Sequence, residues 1–329
     1  MSERALTVVI PNWNGVSLLD RCIDSVARAW AVAGYRLPCD IVVSDDGSDD
    51  GSLDLLREKY PRVRTVAAQE RSGFIACANR GIDLGGHPYV LLLNNDVTLH
   101  EEFLARWQEC YDDPSVFCVT GRMLRPDGVT YDSGRRVGVW DHGLLRHWVV
   151  CAEGEVGPTL YGSGGASIYA REKLRALNGF DPLFRPMYNE DLDLGYRGWK
   201  RGWKTIYQPA CRACHHGSVS SKRVYHAREL SAIIAKNHFL FIWKNLTDRG
   251  LMRSHLEGLP YWLAQSWRPR RRVVTLGFAQ ALRQVAEARR RRDVERREQR
   301  VTDSEIWSWF RPTPEDLQYS PYQGWAGTA

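Results

Sequence analysis

Hydrophobic residues in the first 120 positions alternate between two patterns. Short apolar runs, which are typical of buried strands, cover residues 6–10, 41–43, 62–67 and 89–93. Between these runs the apolar residues recur at helical spacing. Short strands that alternate with helices of about 10 to 15 residues predict parallel βαβ units with right-handed crossovers. We therefore expect an α/β fold that starts with a sheet of the nucleotide-binding type.

The pattern changes beyond this region. Residues 121–160 combine glycine, aspartate and arginine with short β-like pieces, and we interpret them as an irregular insertion or hairpin beside a cleft. From residue 225 onward the chain has little β character. The later helical patterns cover residues 171–177, 190–200, 230–246 and 251–267.

Charge is concentrated in one segment. The chain has a hydrophobic content of 43% and a formal net charge of +6. Residues 268–300 hold twelve arginines against four acidic residues, so the remainder of the chain is slightly negative. This segment fits either a basic amphipathic helix on an anionic membrane surface or a solvated helix packed on the protein. Nucleic acid is disfavoured as a partner because no aromatic residues are interleaved with the arginines.

Targeting signals are not evident. Residues 1–4 run directly into the first apolar run, so we expect no secretory leader. The most apolar later stretch, residues 230–243, is interrupted by Lys236 and His238 and falls short of the roughly 18 apolar residues of a membrane span. A cytoplasmic location is therefore expected, with the eight cysteines as free thiols.

Polar residues follow the fourth apolar run. Residues 90–93 are followed by Asn94, Asn95 and Asp96. A carboxylate there would lie where open α/β sheets collect their ligands. It can bind a hard divalent cation, and the cation can neutralise a phosphate. The alternative is a strand that simply ends in an Asn/Asp turn.

Similar clusters fall at other predicted strand ends and loops. They are Pro11-Asn12-Trp13-Asn14, Asp45-Asp46-Gly47-Ser48, Gly73-Phe74, Asn79-Arg80-Gly81, Asn189-Glu190-Asp191 and His215. In order and spacing, the set resembles the family 2 glycosyltransferases over about residues 5–222. The resemblance implies a GT-A fold, with a mainly parallel central sheet, and transfer of a hexosyl or deoxyhexosyl group. The chain is similar to rhamnosyltransferase-like enzymes of bacterial glycan assembly, and the resemblance implies UDP or dTDP sugars as donors.

The resemblance also suggests how the chain is divided. Residues 1–222 would form the GT-A domain, with a nucleotide-binding half at 1–120 and an acceptor-binding, catalytic half at 121–222. Residues 223–329 would form a helical C-terminal extension that contains the basic segment.

A set of nucleotide-binding residues follows from the resemblance. They are Pro11, Asn12, Asn14, Asp45, Asp46, Gly73, Asn79, Asn94, Asn95 and Gly165. Asp45 is expected to accept a hydrogen bond from a ring N–H of the base, because an ionised carboxylate is an acceptor only. Asp46 is alternatively a turn former ahead of Gly47, and Asn79 a structural amide within a helix. Gly165 would let the backbone approach the sugar closely.

The implied metal site departs from the family pattern. Asn94 stands where the family's Asp-x-Asp motif carries its first carboxylate. Asp96 is the expected ligand of Mg²⁺ or Mn²⁺, with His215 as the second ligand and His216 as the near alternative. The run from Cys211 to His215 also fits the attachment signature of c-type haem, and zinc is conceivable for two cysteines. Both are disfavoured, because haem attachment of this type goes with export and no second cysteine pair is present.

Glu190 and Asp191 resemble the family's acidic pair. Asp191 is the expected general base, which removes the proton from an acceptor hydroxyl, and Glu190 would orient it or bind the acceptor. A single in-line displacement would invert the anomeric centre. The alternative is that these acids merely decorate the first turn of a helix, where acids are favoured.

The resulting hypothesis is an inverting, metal-dependent glycosyltransferase that extends a glycan or a lipid-linked saccharide. It would be cytoplasmic, with a peripheral contact to the inner face of the cell membrane through residues 268–300 left open. A nucleotidylyltransferase is a rival, but a basic residue is missing from the first strand-end loop. A non-catalytic sugar-nucleotide-binding scaffold is favoured only by Asn94. A dehydrogenase is excluded because no Gly-x-Gly-x-x-Gly follows the first strand.

Overall fold

The computed structural model describes residues 5–35, 39–152, 154–217, 224–264, 272–314 and 316. Within these ranges the strands are β1 Leu6–Asn12, β2 Asp40–Asp45, β3 Arg64–Ala67, β4 Tyr89–Leu93, β5 Val97–Leu99, β6 Val116–Leu124, β7 Tyr131–Ser133, β8 Arg135–Asp141, β9 Leu144–Val150, β10 Gly157–Pro158, β11 Ala166–Ala170 and β12 Lys204–His215. The helices are α1 Val16–Val32, α2 Ser52–Lys59, α3 Phe74–Leu84, α4 Arg171–Ala176, α5 Glu190–Lys200, α6 Ala227–Asn245, α7 Arg249–Ala264, α8 Arg272–Leu282, α9 Val285–Glu298 and α10 Asp303–Trp309. Two 3-10 helices cover Trp107–Asp112 and Pro182–Phe184.

One large mixed sheet organises the molecule. Its main strand order is β10-β12-β6-β11-β4-β1-β2-β3, with β5 paired to β12 and β7 paired to β6. The first four strands are parallel to one another, as their alternation with helices predicts. Strand β11 is antiparallel to both β4 and β6, so it joins this parallel half to the parallel pair β6 and β12. The carboxyl ends of β1, β2 and β4 consequently share one edge.

The apolar runs are continuous because the sheet is buried on both faces. In β1, Val8 and Val9 belong to different hydrophobic clusters, and in β2 the same holds for Val42 and Val43. Successive side chains of a strand point to opposite faces, so a sheet covered on both sides needs apolar residues at nearly every position.

Residues 121–160 contain the predicted hairpin. Strands β8 and β9 form a separate antiparallel ribbon, in which Asp141 pairs with Leu144. Strand β7 precedes the ribbon and lies on β6 of the main sheet.

Helix α5 packs closely on strand β6 of the sheet and on the segment before β11. A Cβ atom at Gly195 would fall 2.4 Å from Cβ of Tyr161, and one at Gly198 would fall 2.7 Å from the ring of Phe117. Only glycine allows this approach at either position. The first turn of α5, which carries Glu190 and Asp191, is therefore fixed against the sheet.

The C-terminal helices share the core of α5. Phe239 and Phe241 of α6 belong to the same buried cluster as Tyr196 and Trp199 of α5. Ion pairs reinforce the contact, including a pair of fully buried residues in which Lys200 Nζ lies 3.0 Å from Asp303. The predicted division at residue 222 falls within 218–223, outside the described residues, and stays a prediction.

The basic segment, residues 268–300, does not form the single helix expected from the sequence. It is divided between α8 and α9, and residues 268–271 lie outside the described ranges. Val274 is buried and Phe278 packs edge-on against Phe239, so most of the apolar side of α8 faces the protein. None of the helices in the described ranges has the length and apolar character needed to cross a membrane.

Candidate active site

A cleft opens at the carboxyl edge of the parallel strands. Its volume is about 280 Å³. The structure brings eleven of the predicted site residues to its walls: Pro11, Asn12, Asp46, Gly73, Asn94, Asn95, Asp96, Gly165, Glu190, Asp191 and His215. Three predicted residues, Asn14, Asp45 and Asn79, do not line it.

Asp96 and His215 meet in the cleft from positions 119 residues apart. His215 Nε2 lies 3.2 Å from Asp96 Oδ2. The meeting follows from the pairing of β5 with the end of β12, where His215 lies opposite Val97. His216 points elsewhere, with its Nε2 3.0 Å from Thr98 Oγ1. Of the two histidines, His215 is therefore the one beside Asp96.

No sequence motif indicates that Asp132 belongs to this cluster. Asp132 Oδ2 lies 2.8 Å from Nδ1 of His215, on the side of the ring away from Asp96. Burial lowers the pKa of His215, but hydrogen bonds and charge from Asp132 and Asp96 outweigh it and raise the pKa to about 10. Asp132 thus orients the imidazole so that Nε2 faces Asp96. Asp132 lies on the short strand β7, which carries no spaced motif that would indicate this role.

The pair fits a divalent cation as an incomplete site. Carboxylate oxygen and imidazole nitrogen are donors that Mn²⁺ accepts, and a carboxylate partner on the second ring nitrogen is the usual support of a metal-binding histidine. Within the described ranges no group of three or more histidine, cysteine and acidic residues is placed to hold a metal. Further ligands would have to come from a substrate and water.

The cysteine motif before His215 does not form a site of its own. Cys211 is buried and Cys214 half-buried, and both are free thiols. Their odd spacing on β12 points them to opposite faces of the sheet, so they cannot converge on one ion.

Asp45 and Asp46 follow each other but face different surroundings. Asp45 is fully buried; its Oδ1 accepts from the backbone N–H groups of Gly47 and Ser48, and its Oδ2 from Asn12 Nδ2 and Ser48 Oγ. These four donors occupy the acceptor sites of a carboxylate. The structure therefore leaves Asp45 no site for the base contact that we expected of it.

Asp46 is the acid of this pair that lines the cleft. Its Oδ1 accepts from the backbone N–H and hydroxyl of Ser72, at 2.9 and 2.6 Å, and its Oδ2 from the backbone N–H of Gly73 at 2.7 Å. Gly73 has a φ of +88°, which favours glycine. Asp46 thus anchors the loop that begins α3 and keeps one acceptor site on Oδ2.

Three further predicted amides, Asn95, Asn79 and Asn14, form hydrogen bonds within the protein. Asn95 donates to Asn12 Oδ1 at 2.7 Å, which links the ends of β4 and β1. Asn79 exchanges two hydrogen bonds with the backbone of Phe180, at 2.8 and 2.9 Å. Asn14 is bonded to Asp49 at the surface. Asn79 and Asn14 are therefore not placed to touch a nucleotide in the cleft.

An aromatic and a cation at the cleft were not singled out by the sequence patterns. The guanidinium of Arg71 lies 3.8 Å from the ring centroid of Trp13, and both residues line the cleft beside Asp46 and Gly73. Trp13 sits in the middle of the first polar motif, so its position there was the available signal. The pair offers a flat apolar face with a positive charge next to it.

Glu190 and Asp191 begin α5 after an unfavourable stretch of backbone. Tyr188 and Asn189 have φ values of +71° and +67°, in the left-handed region. Burial raises the pKa of Asp191, and the charge of Arg136 opposes this shift. Burial and the charge of Asp191 raise the pKa of Glu190 to about 8.

Backbone N–H groups, including that of Gly164, donate to this acidic pair. Asp191 Oδ1 accepts from the backbone N–H of Leu192 at 2.8 Å. Glu190 Oε2 is buried and has no hydrogen-bond partner among the described residues. A buried carboxylate with raised pKa and free acceptor sites, in a cleft, is typical of a proton-transfer group.

Comparisons with known proteins agree with this arrangement. The family model for glycosyl transferase family 2 matches residues 7–177. N-acetylglucosaminyl-diphospho-decaprenol L-rhamnosyltransferase of Mycobacterium tuberculosis is 27% identical over 245 residues, which cover 66% of this chain and 78% of that protein.

Two solved structures show the fold. GalNAc-T7 with UDP, GalNAc and Mn²⁺ has a TM-score of 0.63 at 19% identity, over 94% of this chain and 56% of that one. The mannosyltransferase PcManGT from Pyrobaculum calidifontis, with GDP-Man and Mn²⁺, has a TM-score of 0.54 at 18% identity, over 87% and 76%. The predicted GT-A fold is confirmed.

Proposed function

The chain belongs to glycosyl transferase family 2, and from this premise we propose that it transfers a sugar from a nucleoside-diphosphate sugar to a hydroxyl of a lipid-linked saccharide. The transfer is proposed to invert the anomeric centre and to require Mn²⁺ or Mg²⁺, with Asp191 as general base.

One observation carries this proposal: the same cleft contains the pair Asp96 and His215, whose side chains suit a divalent cation, and the acidic pair Glu190 and Asp191. In the acidic pair, Glu190 Oε2 has no hydrogen-bond partner among the described residues. Gly165 lines this cleft together with these four residues. A donor whose diphosphate lies near Asp96 is proposed to present its sugar toward Asp191, and the transfer is proposed to be a direct displacement.

The proposed sugar transfer takes place in one step. An acceptor oxygen bonds to the anomeric carbon while the bond from that carbon to the diphosphate oxygen breaks. Asp191 takes the hydroxyl proton, and its raised pKa brings it closer to the range in which a carboxylate is an effective base. Attack on the face opposite the leaving group inverts the configuration. Glu190 is proposed to accept a hydrogen bond from the acceptor through Oε2.

Asp96 and His215 would hold the divalent cation, and Asp132 would keep His215 in place. When bound, the cation supplies positive charge that stabilises the departing diphosphate. Asn94 is an uncharged amide where the family motif has a carboxylate, so the protein has one negative charge fewer at the metal site. His215 is therefore proposed to contribute more to metal binding than it would beside two carboxylates.

The nucleoside is proposed to lie against Trp13 and Arg71. Stacking on the indole suits any base, while the remaining acceptor site of Asp46 suits a base with a ring N–H. Uracil and thymine both carry such a donor, which supports UDP or dTDP sugars. The similar mycobacterial protein is named as a rhamnosyltransferase, which favours a deoxyhexose.

A lipid-linked acceptor is supported by the same relative, whose name gives a diphospho-decaprenol acceptor. The surface of α8 and α9 fits a peripheral contact with an anionic membrane. Leu276 and Leu282 are exposed, and α9 exposes the cationic residues Arg289, Arg290, Arg296 and Arg297. Within this proposal, residues 1–222 form the catalytic domain and residues 223–329 its helical extension.

The test is release of nucleoside diphosphate from a panel of nucleotide sugars, with and without Mn²⁺ or Mg²⁺. Wild type is compared with Asp191→Asn and His215→Ala. We expect one donor to be hydrolysed slowly in the presence of metal, with loss in both variants. The variants differ in calorimetry, since only His215→Ala weakens metal-dependent nucleotide binding. Absence of both turnover and nucleotide binding in the wild type would contradict the proposal.

A further inference from the structure

Helix α6 contacts the backbone that leads into the acidic pair. Asn237, which is fully buried, has its Nδ2 within hydrogen-bond distance of the carbonyl oxygens of Phe184 (2.7 Å), Met187 (2.8 Å) and Tyr188 (2.8 Å), so that its two N–H groups are shared among the three. Its neighbour Lys236 donates from Nζ to the carbonyl oxygen of Arg185 at 2.5 Å. Two side chains of one helix thus serve four carbonyl groups of the segment 184–188.

Only the nitrogen of the Asn237 amide forms hydrogen bonds with the described residues. Its Oδ1 is buried without a hydrogen-bond partner among the described residues. An unsatisfied buried acceptor is costly, and an apolar residue would avoid it. The asparagine is therefore explained by what its nitrogen holds, which is the segment 184–188.

That segment needs support from outside. Tyr188 and Asn189 adopt left-handed φ values of +71° and +67°, which residues other than glycine seldom adopt. Met187 and Tyr188 line the cleft, and Glu190 and Asp191 follow directly. A shift of this backbone would move both acids.

The same helix also holds the other side of the acidic pair. Near its end, Lys244 Nζ lies 2.6 Å from Asp193 Oδ1 and 2.7 Å from Asp181 Oδ2. Asn245 donates to Asp193 Oδ1 at 2.8 Å. Helix α6 therefore contacts the chain both before and after Glu190 and Asp191.

We propose that Asn237 is a positioning residue for Asp191 and Glu190, so that the C-terminal helices take part in building the acceptor side of the site. This inference rests on the proposed function. Loss of the Nδ2 donor frees three carbonyl groups and lets the strained segment relax. The base then moves relative to the anomeric carbon, while the nucleotide side of the cleft, built on β1, β2 and β4, stays in place.

The test compares Asn237→Leu and the milder Asn237→Ser with Phe239→Leu. Phe239 is a buried residue of the same helix, and its ring packs on Trp243 and Phe278. The control therefore disturbs α6 without touching the carbonyl groups. For each folded variant, kcat, the KM of the donor and the affinity for nucleoside diphosphate with Mn²⁺ are measured, together with hydrogen exchange of residues 184–193.

In the Asn237 variants we expect kcat to fall by about 10- to 100-fold, since a small misplacement of a reacting group has effects of this size. The affinity for nucleoside diphosphate should stay within about twofold, in keeping with an effect confined to the acceptor side. Exchange of residues 184–193 should rise in these variants and not in Phe239→Leu.

Several results would overturn the inference. One is an Asn237 variant with unchanged kcat; another is an equal loss of kcat in Phe239→Leu; a third is a parallel loss of nucleotide affinity. If Asn237→Leu does not fold, Asn237→Ser decides between these results. If the wild type neither binds nor turns over a nucleotide sugar, the proposed function fails instead, and the exchange measurement still tests whether Asn237 holds the segment.

Discussion

Asp45–Asp46 and Glu190–Asp191 are two pairs of consecutive acids, of which all but Asp45 line the cleft, and the fold treats them differently. Asp45 and Asp46 together accept seven hydrogen bonds from backbone and side-chain donors of the protein. Glu190 is also buried and Asp191 is half-buried, yet Glu190 Oε2 has no partner in the described part of the chain. The first pair shapes loops through its hydrogen bonds, whereas Glu190 keeps an acceptor oxygen that no described residue uses.

This contrast indicates how to separate acids with a structural role from acids that are candidates for chemistry. Burial alone does not distinguish them, because Glu190 is buried like Asp45 and Asp46, and Asp191 is half-buried. The hydrogen bonding of the individual carboxylate oxygens does. A saturated carboxylate gains nothing from a ligand, but an unsaturated one in a cleft is stabilised when a hydroxyl arrives.

The largest effect is expected from Asp191→Asn. The amide cannot take a proton, so kcat should fall by on the order of 10²- to 10⁴-fold. Nucleoside diphosphate affinity, measured by calorimetry, should remain close to that of the wild type. If the variant keeps more than a tenth of wild-type kcat, Asp191 is not the general base, and the proposed difference in role between the two acidic pairs is wrong.

Asp45→Ala should damage stability instead of chemistry. It leaves buried donors of Gly47, Ser48 and Asn12 without their acceptor, which should lower the free energy of unfolding by about 2 to 4 kcal/mol. Asp49→Ala, in the same loop but exposed, is the matched control and should change it by less than about 0.5 kcal/mol. Urea denaturation measures both, and equal effects would show that saturation of Asp45 does not matter.

Asp132→Asn should weaken binding of Mn²⁺ by about 10- to 100-fold, the usual size of losing the partner of a metal-binding histidine. The control is Asp127→Asn, an exposed acid in the turn between β6 and β7 that bonds only within that turn. Titration calorimetry in the presence of nucleoside diphosphate gives both affinities. Equal affinities in the two variants would argue that Asp132 does not orient His215.

The smallest effect concerns pH. The pKa of Glu190 rises from an ordinary 4.5 to about 8 on folding, so the native state binds more protons than the unfolded state between these values. Stability should therefore fall as pH rises through this window. Glu190→Gln should flatten the profile and be more stable than wild type at pH 8, by on the order of 1 kcal/mol because Asp191 shares the titration. Parallel profiles in the two proteins would contradict the assignment.

Much of this arrangement was predictable from local patterns. The four parallel strands, the polar residues at their ends and the helix that begins at Glu190 all follow from short-range spacing, and the enzyme class followed from the order of the motifs. Asp45 was assigned to the base contact, which stays a prediction; its oxygens bond to Asn12, Gly47 and Ser48, and Asp46 is the residue that lines the cleft. Neighbouring residues at a strand end face opposite sides, so one residue of register decides which of Asp45 and Asp46 enters the cleft.

Contacts between distant segments were harder to predict. Asp132 reaches His215 only because β7 lies on β6 beside β12, and Asn237 reaches residues 184–188 only because α6 packs behind α5. Neither residue stands in a spaced motif. A sequence pattern encodes which face of an element is buried, but not which distant element covers it.

The face of α5 that carries Gly195 and Gly198 limits how the enzyme can be varied by mutagenesis. Gly195 and Gly198 pack on Tyr161 and Phe117 with no room for a Cβ atom, while Asp193 and Arg197 are enclosed by ion pairs on another side. Random libraries that include this helix would consist mostly of inactive clones. The ribbon of β8 and β9 has many half-buried positions and forms a sheet of its own, so libraries placed there should keep more active clones.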